Sequence, residues 1–231
     1  MARSVVLKKS VRCPRCHLSP RWCICEGGET IECPVQVDVL MHYMEAFRPS
    51  STGHLIKRVI PAAGLHRYRY DLPLERAVIA KPERTLWILH PLGEPLPVNE
   101  TPSTLQVVLL DGTWRQSADM AHAVESWGRK VSLPMTGESR FWLRSQSGEG
   151  KFSTVEALLF LLAALGLRRE ETALRLQFEL HVFAGLRARG KKALAEEFLA
   201  TSPVRDAMPE LLDKLAARRP RTDFPEAENR G

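Results

Sequence analysis

Two periods alternate along this chain, and the switches between them mark out its elements. Val35-Gln36-Val37-Asp38-Val39-Leu40-Met41-His42 alternates and then runs apolar, which predicts a strand. Polar and small residues follow, Glu45, Arg48, Ser50, Ser51, Thr52 and Gly53, and then a helical stretch from His54 to Ile60 with Pro61 and Gly64 at its exit. Further strands are predicted at Arg84–His90, ending at Pro91, at Gln106–Leu110, and at Lys130–Leu133. The stretch from Pro91 to Pro102 reads as a loop, and Arg115–Ala123 as a helix. Strands and helices in alternation imply an α/β fold with a mainly parallel sheet.

The last third is helical. Ser153-Thr154-Val155-Glu156 has capping-box spacing, with Ser153 as N-cap and Glu156 at the third position. The helix it opens, Ala157 to Leu165, is apolar all round and should be buried, with Gly166 closing it. Helical patterns then run from Glu170 to Ala188, ending near Gly190, and over Lys192–Ala200 and Val204–Ala217. The chain divides into a cysteine-rich segment 1–33, a main domain 34–219 and a flexible polar tail 220–231.

Composition narrows the classes. The 231 residues suffice for one real core, and a net charge of +6 favours an anionic partner such as RNA. The apolar run Ala157–Leu165 is too short for a bilayer span of about 20 residues, and no apolar leader is visible. A cytoplasmic protein with reduced thiols follows as the expectation, and no membrane association is expected.

Four of the five cysteines fall at Cys13, Cys16, Cys23 and Cys25. Two close pairs can place four thiolates around a tetrahedral Zn²⁺, a closed and therefore structural site. His17 is an alternative ligand. Cys33 reads as a small buried thiol at the start of the first strand.

The most informative motif is Asp111-Gly112-Thr113-Trp114, set between the apolar run Val107–Leu110 and a helix. Ligands in open α/β sheets collect at the carboxyl ends of strands. By itself the tetrapeptide also fits a plain turn. The start of the Ser153 helix can take an anion such as an amino-acid carboxylate, and Glu156 an ammonium group if capping leaves it free. Arg67-Tyr68-Arg69-Tyr70 and Arg140-Phe141-Trp142-Leu143-Arg144 combine arginines with aromatics, which suits either RNA contact or a half-buried strand.

Together these residues resemble the DTW-domain family, in particular the bacterial tRNA-uridine aminocarboxypropyltransferases. The resemblance rests on the cysteine knuckle, the segment Arg48 to Gly53, Leu110-Asp111-Gly112-Thr113-Trp114, and Leu143-Arg144 followed by Ser153-Thr154-Val155-Glu156-Ala157. Ser51 stands where that family more often has asparagine.

The resemblance implies a SPOUT-like sheet flanked by helices and knotted in its C-terminal part. It also implies S-adenosylmethionine as co-substrate, structural zinc and tRNA as partner. The oligomeric state is not legible in the sequence, and a monomer is the favoured expectation. The implied reaction moves the 3-amino-3-carboxypropyl group to N3 of a tRNA uridine and releases methylthioadenosine. On this resemblance Asp111 is the candidate base. Leu110, Gly112, Thr113, Trp114, Pro91, Ser153, Thr154 and Glu156 join Asp111 as candidate cofactor residues. Arg48, Lys57, Arg58 and Arg144 are candidates for substrate or RNA contact. The competing readings are an RNA methyltransferase using the same cofactor, the same transfer on ribosomal RNA, and a non-catalytic zinc-ribbon RNA-binding protein.

Overall fold

A computed structural model describes residues 11–97, 100–144 and 151–218; the tail from Pro220 lies outside the described residues. Its centre is a five-stranded sheet in which every pairing is parallel. The strands are β1 (Gln36–His42), β2 (Gly64–Tyr68), β3 (Thr85–Pro95), β4 (Leu105–Asp111) and β5 (Arg129–Ser132), in the spatial order β2-β1-β4-β3-β5. The α-helices are α1 (Thr52–Val59), α2 (Arg76–Ile79), α3 (Trp114–Ala123), α4 (Thr154–Ala164), α5 (Arg168–Ala188), α6 (Lys192–Ala200), α7 (Val204–Ala207) and α8 (Pro209–Ala217).

The strands read as near-continuous apolar runs because both faces of the sheet are covered. Val37, Val39 and Met41 of β1, with Leu105, Val107 and Leu109 of β4, face a large core shared with α1, α4, α5 and α6. Leu40, Val108 and Ile88, one residue out of phase, face a smaller core with Met120 and Val124. The apolar helix α4 is buried through Val155, Leu158, Leu159, Leu161 and Leu162, and the left-handed Gly166 and Gly190 (φ 75° and 74°) follow the ends of α4 and α5.

A polar network is buried in the sheet. Asp38 of β1 accepts hydrogen bonds from His66 of β2 (2.7 Å) and from Gln106 of β4 (2.7 Å), tying three strands together. Burial pushes its carboxyl up, but the bonds from His66, Gln106 and Gln36 outweigh this and hold it below the usual range.

Four expectations need correction. β3 does not stop at Pro91: its pairing with β5 shifts between Leu89 and Glu94 and resumes to Pro95. Proline has no N–H for a ladder, so it sits in the bulge. Cys33 lies before β1, which starts at Gln36. The helix expected over 204–217 is broken at Met208, just before Pro209, into α7 and α8. Residues 140–144 form no strand; they turn, burying Phe141 and Leu143.

The cysteine segment is not a separate body. Cys13, Cys16, Leu18, Trp22 and Ile24 belong to the same core as Leu55 and Phe178. Among the described residues, no helix is long and apolar enough to cross a membrane.

Candidate active site

Because all strands run the same way, their carboxyl ends share one edge of the sheet, and a pocket of about 590 Å³ opens there. That volume falls in the range of small-molecule sites. Leu89, Leu109, Val131, Leu133, Met135 and Phe141 give it apolar walls. The bulge in β3 carries His90, Pro91 and Leu92 into another wall, with Leu92 bonded through its N–H to His90 Nδ1 (3.1 Å).

Asp111, the last residue of β4, is buried in this pocket. Oδ2 accepts from Ser51 Oγ (2.9 Å) and Oδ1 from Thr154 Oγ1 (2.7 Å). Ser51 is the residue that precedes α1, and Thr154 is the first residue of α4. The carboxylate thus lies between the N-terminal ends of two helices. Gly53 makes the approach possible, since a Cβ there would stand 2.8 Å from Oδ2.

Leu110, Gly112, Thr113 and Trp114 all line the pocket. Thr113 and Gln116 form a capping box at α3: Thr113 N donates to Gln116 Oε1 (2.8 Å), and Gln116 N donates to Thr113 Oγ1 (3.4 Å). The same residue spacing that signals Ser153 and Glu156 was available there to find it. Trp114 stands half exposed at the mouth, 5.9 Å below the Lys151 ammonium.

Arg48 and Arg144 line the same pocket, held by Glu45, whose functional position nothing in the local sequence signals. Glu45 is fully buried, 2.7 Å from Arg48 and 2.6 Å from Arg144. Arg144 Nε also donates to Ser50 Oγ (3.3 Å). Ser50 and Ser51 therefore link the arginine pair on one side to Asp111 on the other. Two guanidiniums around one carboxylate leave a net positive charge facing the pocket.

The other candidates divide between the pocket and the rest of the fold. Ser153 and Thr154 reach the pocket, but Glu156 is not among its walls. The oxygens of Glu156 are taken by Ser139 Oγ, Arg140 N, Ser153 N and Ser153 Oγ at 2.7–3.0 Å, leaving an ammonium group little to bind. Lys57 donates to the carbonyls of Pro61 and Ala63 (both 2.8 Å). Arg58 is turned inward with Nη2 buried; desolvation lowers its pKa, while negative charge on the Cys16, Cys25 and Cys13 sulfurs opposes that. Arg140 is bound to Glu179 (3.1 Å) and Thr201 (2.9 Å), in structural contacts rather than at an RNA-facing surface. Thr52, Met135 and Phe152 are pocket residues that sequence reasoning missed; only the rule that ligands gather at strand ends pointed toward them.

The four cysteine sulfurs lie within 4.8 Å of one another, with Cys13–Cys25 at 3.5 Å and Cys16–Cys23 at 3.7 Å. A tetrahedron with Zn–S bonds of ~2.3 Å has edges of about 3.8 Å, so the set fits zinc. Thiol hydrogen bonds from Cys23 and Cys25 push Cys16 far down, while the bond to Cys16 raises Cys23 to about 11. His17 does not join the cluster. It takes a left-handed conformation (φ 61°) in the knuckle turn, and its ring lies 4.4 Å from that of His54 of α1, tilted by 33°. Zinc, when bound, would hold the knuckle closed by neutralising its thiolates.

A family model described as the DTW domain matches residues 10–187. No solved structure matches the chain. The chain belongs to the DTW-domain family.

Proposed function

With membership of the DTW-domain family as the premise, we propose that this chain is a tRNA-uridine aminocarboxypropyltransferase. Family membership supports a tRNA-modifying enzyme. The observation that carries the finer reading is the buried Asp111 carboxylate, fixed by two hydroxyls inside a pocket that also presents an arginine pair.

The residues suit that chemistry. Uridine N3 becomes a good nucleophile only when its proton leaves, and Asp111 is the group to take it. N3 then bonds to the γ-carbon of the aminocarboxypropyl group as that carbon's bond to sulfur breaks. The electron pair goes to the sulfur, and methylthioadenosine leaves. The S-adenosylmethionine sulfonium supplies an activated leaving group, so no covalent enzyme intermediate is needed. Choosing the γ-carbon over the methyl carbon is a matter of orientation, which apolar walls and a rigid carboxylate can impose.

In this reading Leu110–Trp114 and Pro91 hold the nucleoside part of the co-substrate, and the start of α4 at Ser153 and Thr154 holds its methionine part. Arg48 and Arg144 meet its carboxylate or an RNA phosphate. The proposal includes a SPOUT-like sheet, supported by β4 lying between β1 and β3 although it follows β3 in sequence, and a knot in its C-terminal part. It also includes structural zinc, a cytoplasmic setting and a monomer.

Incubation with S-adenosylmethionine and total tRNA, followed by mass spectrometry of nucleosides and small-molecule products, tests it. Aminocarboxypropyluridine with methylthioadenosine is the expected result. S-adenosylhomocysteine would instead mean methylation. Absence of both products, with tRNA binding intact, would overturn the enzymatic reading in favour of an RNA-binding protein.

A further inference from the structure

Folded domains rarely gather exposed apolar side chains into one region unless something binds there. Among the described residues, Met44 and Phe47 follow β1, Tyr70 and Leu72 follow β2, Trp114 follows β4, and Leu92 lies in the bulge of β3; all six are exposed. These four strands are adjacent and parallel, so the six residues share the edge where the pocket opens. The remaining large exposed apolar residues, Val11 and Val78, lie in the knuckle segment and α2.

Away from the pocket this edge becomes aromatic and basic. Tyr43 N donates to Tyr68 O (3.0 Å), joining the ends of β1 and β2. The His42 ring lies 4.7 Å from Tyr43 and 6.3 Å from Tyr68, and the Arg69 guanidinium lies 5.9 Å from the Tyr43 ring. Arg69 shares its charge with Asp71 (2.6 Å), whereas Arg67 stands exposed on the edge strand. Tyr70 is 82% and Phe47 69% exposed. Residues 42–48 form one short path from this cluster, past Phe47, to Arg48 in the pocket wall.

We propose that this edge is the docking surface for the single-stranded tRNA segment that flanks the acceptor nucleotide. Its bases stack on Phe47 and Tyr70, and its phosphates run beside Arg67 and toward Arg48. The proposal rests on the tRNA-modifying reading given above. Bases splayed from a single strand offer π-faces to aromatic side chains, and guanidiniums meet the phosphates between them.

The test uses the full chain, a labelled tRNA and two variants, Phe47→Ala/Tyr70→Ala and Arg67→Ala. Fluorescence anisotropy should show tRNA affinity falling roughly tenfold or more in the double variant. In Arg67→Ala the dependence of affinity on salt should flatten by about one charge. Calorimetric affinity for S-adenosylmethionine and the melting temperature should stay as in the parent. Unchanged tRNA affinity and salt slope in both variants would overturn the docking surface. If the parent performs no transfer, the enzymatic reading falls, yet anisotropy still decides this surface. If the variants lose cofactor affinity or melt early, a folding role replaces the docking role.

Discussion

Ser51 and Asp111, sixty residues apart in the chain, meet through a 2.9 Å hydrogen bond buried from solvent. Ser51 occupies the N-cap position of α1 but makes no side-chain cap bond there; its hydroxyl donates to Asp111. Thr154 holds the other oxygen. The candidate base is therefore oriented by two helix starts rather than by its own turn.

Asp111→Asn should keep the fold and cofactor binding while transfer falls by about 10²-fold or more, the usual scale for a lost general base. Single-turnover kinetics at saturating S-adenosylmethionine read this directly. Near-normal transfer would remove the base role from Asp111.

Ser51→Ala should lower kcat about tenfold while the KM for S-adenosylmethionine changes little, because the carboxylate is loosened rather than lost. Ser51→Thr, which keeps the hydroxyl, should recover most of the rate. Equal losses in both variants would point to packing instead.

Gly53→Ala would place a methyl group 2.8 Å from Asp111 Oδ2 and 2.8 Å from Met41 Cε. Overpacking of this kind costs about 1–3 kcal/mol. Thermal melts should show that loss together with a fall in activity, and activity should fall further than in a variant equally destabilised elsewhere.

Zinc binding is expected at one ion per chain, and chelation should destabilise the whole domain. Cys16, Trp22 and Ile24 share the main core with α1, α4 and α5, and the Arg187 guanidinium lies 4.6 Å from the Trp22 ring. Scanning fluorimetry with and without chelator should show the main transition falling by several degrees. An unshifted main transition would confine the effect of the metal to the knuckle.

His181 sets a pH dependence. It is wholly buried, and both ring nitrogens lack a hydrogen-bond partner. Burial first, then the Arg58 charge, lowers its pKa to about 3. The native ring stays neutral while the unfolded ring takes a proton below its ordinary pKa of ~6.5, so stability is lost as pH falls from there toward about 3. Denaturant melts across that window should show the slope, and His181→Leu should flatten it. A His181→Leu slope matching the parent's would assign the effect to other groups.

Much of the fold was legible because its causes are local. The apolar runs at 35–42 and 106–110 encode strands buried on both faces, and Ser153–Glu156 encodes a helix start; neighbours a few residues apart carry both signals. Pro91 misled because the bulge that accommodates it depends on pairing with β5, some forty residues on. Lys57 and Arg58 looked like available cations, yet the carbonyls of Pro61 and Ala63 occupy the first, and the core takes in the second. Glu156 was legible as a cap but not as a saturated carboxylate, since Ser139 and Arg140 reach it across sixteen or seventeen residues.

By itself the sequence determined the parallel α/β pattern, the helix boundaries set by caps and glycines, the four-cysteine cluster, and the placing of Asp111 at a strand end. Tertiary structure alone decided what Asp111 touches and how Glu45 pairs Arg48 with Arg144. It also decided that exposed apolar and aromatic side chains from four strand ends share the pocket's edge. The physical reason is reach. Periodicity and capping act over one or two turns of chain, whereas the partners of a buried charge are whichever groups the packed layers bring within 3 Å.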